Sequence, residues 1–311
     1  MGKRIKAKIR SVVLGGLGLL GLLTVWGLLE PQFLDQNAET AVIPNLPPAW
    51  EGKQVAQLSD FQIGMWLDND GTVRRSIRRL IQLRPAAVLI SGDFVYHPLP
   101  IPIPEIDRMI TLVEPLTDAG IPVYAVLGNH DYGDVQPNPA IAARIQGSLE
   151  GIGITVLKNE AVVLPPPDGI PATRADQALY LVGIGSYLVG NDDVDAAFQN
   201  VPDDRPRIVM MHHPATFRRI PRKQAPFAIA GHTHGGQIRL PLISDWLWLD
   251  GPIENAPVAG WSREDYGKPG NRLYVNRGIG FSNLPLRINA APELTIFTLQ
   301  SETLQSEPPP P

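Results

Sequence analysis

A chain of 311 residues with 44% apolar and 19% charged residues has material for one large or two small globular domains and is not a disordered chain. It contains no cysteine, which excludes disulfides, thiolate metal sites and cysteine nucleophiles. The net charge of −4 conceals an asymmetry: residues 1–10 carry five cations and no acid, leaving 22 Lys and Arg against 31 Asp and Glu, a balance that speaks against nucleic-acid binding.

The basic decamer holds Lys3, Arg4, Lys6, Lys8 and Arg10. It precedes SVVLGGLGLLGLLTVWGLL, residues 11–29, which has no charge and at ~1.5 Å per residue is long enough to cross a bilayer. A cleaved signal peptide has a shorter apolar stretch and a small-residue cleavage site, and EPQFLDQNAET follows here without one. The expectation is a basic cytoplasmic N-terminus over 1–10 and a single-pass transmembrane anchor over 11–29. Cations before the span place the remainder on the extracytoplasmic side. Residues 30–50, with Pro31, Pro44, Pro47 and Pro48, show no helical or strand period and read as a linker.

From Glu51 the pattern is regular. Val55–Leu58 reads as a strand, and GTVRRSIRRLIQL puts Val73, Ile77, Leu80 and Ile81 on one helical face. Arg74, Arg75, Arg78 and Arg79 lie off that stripe and read as a solvated face. Pro85 ends the helix, AAVLI is a buried strand, a second helix covers about 104–119, and IPVYAVLGNHD supplies a third strand. This alternation is the rhythm of an α/β sheet. ITVLKNEAVVL and ALYLVGIGSY then read as a hairpin, followed by the strand-like RIVMMHH, FAIAGHTHGG, RLYVNRGIG and ELTIFTL. One domain over 51–300 is expected, with a disordered Pro-rich tail over 301–311.

The chemistry collects where strands end. Asp60 and Gln62 follow the first strand, Asp93 the second, and Asn129, His130 and Asp131 the third. His212 and His213 follow a later one, and His232 and His234 the next. The carboxyl edge of an open α/β sheet is where sites assemble. Singly, each residue has a bland explanation as a turn, cap or structural hydrogen-bonder. Together, aspartate, asparagine and histidine without cysteine suit divalent Mn, Fe, Zn or Mg.

SDFQIG, SGDF, LGNHDY, MHHP and GHTHGGQIRLP stand in the order found in the calcineurin-like metallophosphoesterase superfamily, and the chain resembles that superfamily over roughly 50–300. GHTHGGQIRLP with LYVNRGIGFSNLPLRINAAPEL behind it is similar to its membrane-associated or exported bacterial branch. The resemblance implies a four-layer α-β-β-α sandwich, here preceded by one transmembrane helix, with a metal site at the carboxyl ends of the strands. It implies two divalent ions bridged by Asp93, with Asp60 and His234 completing one site and Asn129, His212 and His232 the other. It selects His212 over His213 and gives His130 the phosphoryl oxygens and leaving group. The family usually has a histidine where this chain has Gln62. An amide oxygen is a weaker donor, so Gln62 is expected to ligate directly, to act through a water, to leave the first site weak with one tightly held ion, or to face solvent.

Two metals ~3.5–4 Å apart can share a hydroxide and present it in line to phosphorus. The implied activity is therefore hydrolysis of a phosphoester, a phosphodiester first, with a lipid-linked substrate as one candidate. Three alternatives stay open: a phosphomonoesterase or nucleotidase, a hydrolase like those cleaving the pyrophosphate of UDP-diacylglucosamine, and a tethered non-catalytic binding protein weakened at Gln62. Trp246 and Trp248 in SDWLWLDG are expected either in a lid or lipid contact or in the core, and His97 is a loop residue near the cleft.

Overall fold

Alternation along the strands builds three buried apolar clusters, one at each interface between layers. The computed structural model describes residues 2–96, 103–133, 137–167, 178–239 and 256–302. Its first six-stranded sheet runs in the order β1 (Asp35–Ile43), β12 (Glu293–Ser301), β2 (Gln54–Leu58), β3 (Ala87–Ile90), β4 (Val123–Ala125), β5 (Thr155–Val156). The second runs β10 (Gly260–Trp261), β11 (Leu273–Val275), β9 (Ala228–Ala230), β8 (Arg207–Met210), β7 (Leu179–Gly183), β6 (Glu160–Leu164). Successive strand side chains leave on opposite faces. Thus Ala56, Leu58, Val88 and Ile90 pack against helices α2 (Asp70–Leu83), α3 (Ile103–Asp118) and α4 (Pro139–Gly151). Val55, Ala87 and Leu89 turn the other way, to meet Leu181, Ile208, Met210 and Ile229 between the sheets. Val182, Val209, Ala228 and Ala230 then pack outward on α5 (Val194–Phe198) and its neighbours. The four-layer α-β-β-α sandwich is therefore the fold.

Helix α2 shows how local sequence sets an element. Val73, Ile77 and Leu80 are buried on its inner face, and Arg84, left-handed at φ 49°, closes it just before Pro85. The expected solvated arginine face is partly engaged: Arg75 donates to the Gln32 carbonyl and Arg79 to the Gln36 amide, each at 2.7 Å.

One expectation is corrected and two others are extended. Residues 30–50 are not simply a linker, because β1 pairs in parallel with β12 from Asp35 against Glu293 to Ile43 against Ser301. Its apolar period is weak because Asn37 and Glu39 meet polar partners, Tyr274 Oη at 3.3 Å and Trp261 Nε1 at 2.9 Å. Only Ala41 and Ile43 enter the core. The expected hairpin stands as β6 and β7, antiparallel from Glu160 against Gly183 to Leu164 against Leu179, while the start of its first segment forms β5 and pairs with β4 in the other sheet. Helices α4 and α5 were not anticipated, and α4 is capped by Asn138, whose side chain accepts from Ala140 N at 3.0 Å.

Helix α1 (Gly2–Leu29) is long and apolar enough to cross a membrane by length and composition. Most of it is exposed, but its last turn is fastened to the body. Gly27 lies against Leu286 and Ile288, and its carbonyl accepts from Arg287 N at 3.0 Å. The Glu30 carboxylate accepts from Asn289 N at 2.9 Å and Ala290 N at 2.5 Å.

Candidate metal centre

Strands β2, β3, β4, β8 and β9 deliver their following loops to one edge of the sandwich. The loops are laced by backbone bonds, Asp60 N to Gly92 O at 2.9 Å, Gln62 N to Asp93 O at 3.0 Å and Gly231 N to His212 O at 3.0 Å. Five site residues hold left-handed backbone: Asp60 (φ 53°), Gln62 (52°), Asp93 (57°), His232 (71°) and His234 (50°). Such conformations cost on the order of 1–3 kcal/mol each and collect where function over-determines them. Two glycines permit the convergence. A Cβ on Gly128 would collide with the Asp93 carboxylate, and one on Gly231 with Ser59 and Asp60.

Two triads of ligand atoms result, Asp60–Asp93–His234 and Asp93–His212–His232, each with its atoms within 4.8 Å of one another. Asp93 is common to both. His212 Nε2 lies 3.1 Å from Asp93 Oδ2 and 3.3 Å from His232 Nδ1, and His234 Nε2 lies 3.5 Å from Asp60 Oδ1. His130 stands at the rim, its N–H donating to Asp93 Oδ1 at 2.9 Å and its ring stacked on Tyr96 at 5.3 Å. His213 is in neither triad; its Nδ1 accepts from Ala215 N at 3.0 Å and starts the helical turn that follows.

The donor set fits divalent cations. Among the described residues, buried Asn129 Oδ1, Gln62 Oε1 and His234 Nδ1 have no hydrogen-bond partner, a costly state for a protein interior unless something is bound there. His212 Nδ1 is 2.7 Å from the Ser91 carbonyl. A carbonyl only accepts, so that nitrogen carries the proton and Nε2 presents its lone pair to the site.

Electrostatics agree. Burial pushes Asp60 up to about 6, with His212 pulling the other way. For Asp93 burial also raises the pKa, but His212 and His130 more than offset it and hold the carboxylate well below its usual range. Burial lowers His212, yet Asp93 outweighs it and pushes the ring up to about 9. A proton between these two side chains thus does what a cation can do instead. Burial first, then neighbouring cationic groups, holds His232 and His234 well below the imidazole range. They are therefore neutral, as ligands must be.

Gln62 is 2% exposed, which removes the solvent-facing alternative. Its Nε2 donates to Asp93 Oδ2 at 2.9 Å, so the amide orients the shared carboxylate and leaves only Oε1 to ligate. Two further residues matter: Asp131, which the sequence placed at the strand end without a role, and Arg287, which it did not single out. The Asp131 carboxylate accepts from the N–H groups of Asp93 (3.0 Å), Phe94 (2.8 Å), Val95 (3.2 Å) and Gly128 (2.9 Å). Burial, aided by Asp93, pushes it up to about 7. Arg287, fully buried, donates to the carbonyls of Gly280 (2.8 Å), Ala290 (2.6 Å) and His234 (3.2 Å). The only sequence cue for either was a charge next to a glycine-rich or histidine motif. Trp246, Trp248 and His97 lie outside the described residues.

The calcineurin-like phosphoesterase family model matches residues 53–236, from β2 through the last histidine motif. The chain belongs to this family. It is 27% identical over 305 residues to YkuE, an uncharacterized metallophosphoesterase of Bacillus subtilis, covering 95% of this chain and 99% of that one. It is 29% identical over 221 residues to the phosphodiesterase YaeI of Escherichia coli, covering 70% and 72% of the two chains. It is 22% identical over 304 residues to the UDP-2,3-diacylglucosamine pyrophosphatase LpxG of Chlamydia muridarum, covering 86% and 90%. Membership makes this phosphoesterase a hydrolase with candidate ligands for metal, and its sandwich is the expected one.

Proposed function

We propose that this chain hydrolyses a phosphodiester at a two-cation centre, in a domain tethered to the membrane by α1 with its site on the extracytoplasmic side. The observation that carries the reading is the pair of triads sharing Asp93. When bound, two divalent ions supply charge neutralisation at the phosphoryl oxygens and activation of water. The protein supplies the rest. Asp93 would offer one carboxylate to both ions, Asp60 and His234 would complete one position, and His212, His232 and Asn129 the other. Gln62 and the His130 N–H fix the rotamer of Asp93. The His130 ring, at the rim, is placed to bind a phosphoryl oxygen and give a proton to the leaving oxygen. The intact ligand set speaks against a non-catalytic binding protein.

Similarity to YaeI supports a diester. Similarity to LpxG favours a second reading, a lipid-linked pyrophosphate, although the cations ahead of α1 place the domain away from cytoplasmic nucleotide-sugars. A panel of p-nitrophenyl mono- and diesters, assayed with Mn, Fe, Zn or Mg, tests the proposal. Faster turnover of the diester is expected. A strong monoester preference would point to a phosphomonoesterase or nucleotidase, and no turnover with any metal would overturn hydrolysis.

A further inference from the structure

The helix that would anchor the chain is joined to the same edge of the sandwich as the candidate metal centre. Strand β12 is antiparallel to β2, so it begins where β2 ends, and β1 begins beside it with Asp35 opposite Glu293. The last turn of α1 is bonded to residues 287–290, and the residues just after it to the start of α2. There the Thr72 hydroxyl donates to the Pro31 carbonyl at 2.7 Å. A bilayer crossed by α1 therefore lies nearer the mouth of the site than the opposite end of the strands.

That edge also exposes large apolar side chains beside polar ones such as Asp68 and Asn283. Phe33 (55% exposed), Trp66 (69%), Leu67 (45%) and Leu284 (46%) project from three separate loops. Phe33 stacks on Trp26 of α1 at 6.0 Å. Trp66 and Leu67 lie between Gln62 and the start of α2. Leu284 lies two residues before Leu286, which touches Gly27. The Leu284 loop also reaches the centre: Gln237, three residues after His234, donates to the Ser282 and Leu284 carbonyls at 2.9 Å each. Tyr96 Oη, whose ring stacks on His130, is 3.2 Å from Asn283 Oδ1. Aromatic and leucine side chains around an apolar helix end suit the interfacial layer of a membrane.

We infer that Phe33, Trp66, Leu67 and Leu284 seat the mouth of the site in the bilayer interface, so that it takes the phosphoester of a membrane lipid at headgroup depth. This inference rests on the anchor and on the hydrolase reading above. Hydrolysis adds water across one P–O bond of the lipid diester, leaving a phosphomonoester on one product and a hydroxyl on the other.

The absence of native cysteine makes the test direct. The full chain carrying Leu284→Cys, or Asp118→Cys at the far end of α3, is labelled with an environment-sensitive fluorophore. Each is placed in nanodiscs of phosphatidylcholine and phosphatidylglycerol containing a nitroxide-labelled lipid. A blue-shifted, quenched label at 284 and an aqueous one at 118 are expected; an aqueous label at both positions overturns the docking. In a second arm, the Trp66→Ser, Leu284→Ser chain is assayed on p-nitrophenyl phosphatidate in the nanodisc and on bis(p-nitrophenyl) phosphate in water. Loss of about tenfold or more on the lipid alone is expected from removing two interfacial apolar side chains. Equal effects on both esters overturn the lipid-substrate claim. A buried label at 284 with no turnover of either ester by the unmutated chain overturns the hydrolase reading instead and leaves the docking supported.

Discussion

Asp93→Ala abolishes phosphoester hydrolysis, with kcat/KM falling by about 10³–10⁴-fold or more. Asp93 is the one residue common to both triads, so its loss opens both positions at once. Metal centres supply several kcal/mol of transition-state stabilisation, and ~1.36 kcal/mol is tenfold in rate. Two donors lose their acceptor, the His130 N–H in a partly exposed turn and the buried Gln62 amide, so folding is measured beside activity. Steady-state kinetics with a diester, beside a circular-dichroism melt, check it. A variant keeping more than about a tenth of the activity would mean that Asp93 does not bridge.

Asp131→Ala is expected to damage stability and activity together. Its carboxylate satisfies four buried backbone N–H groups that shape the loops carrying Asp93 and Gly128. Each orphaned group costs on the order of 1–3 kcal/mol. Even partial rescue by solvent leaves a loss of about 4 kcal/mol or more, the size that breaking a buried hydrogen-bond network can reach. Urea unfolding followed by circular dichroism measures it. A loss below about 1 kcal/mol would show that the loop is held by other contacts. Asp131→Asn separates packing from charge, because its amide oxygen still accepts while its NH₂ faces donors.

Much of the sandwich was legible because its central strands are short apolar runs that end in polar residues: VAQL before Asp60, AVLI before Asp93, RIVM before His212. Those runs mark where a strand stops and where the site edge lies. Strand β1 was not legible, because its inward side chains include Asn37 and Glu39, which are satisfied by Tyr274 and Trp261 rather than by apolar packing. Neither period nor propensity reports a strand specified by its ladder with β12. The site showed the same division. Residues offering lone pairs, such as His232 and Asp60, stand out by type and spacing. Asp131 and Arg287 act on backbone groups, and no residue pattern distinguishes such a charge from one in solvent. Gln62 lay between: its place in the motif was plain, but its burial and its bond to Asp93 belong to the fold. Residues 30–32 likewise looked like a tether, although Glu30 binds two backbone amides 259 and 260 residues away in sequence.

A two-cation centre would share Asp93, with Gln62 where the family usually has histidine. Metal stoichiometry of the full chain in detergent tests it most directly, by elemental analysis after reconstitution with Mn, Fe or Zn and removal of free ion. Two ions per chain are predicted, falling below one in Asp93→Ala. One ion per chain, unchanged when Asp60 or His234 is replaced by alanine, would mean that the Asp60–Asp93–His234 triad does not hold metal, and would contradict a two-cation phosphoesterase.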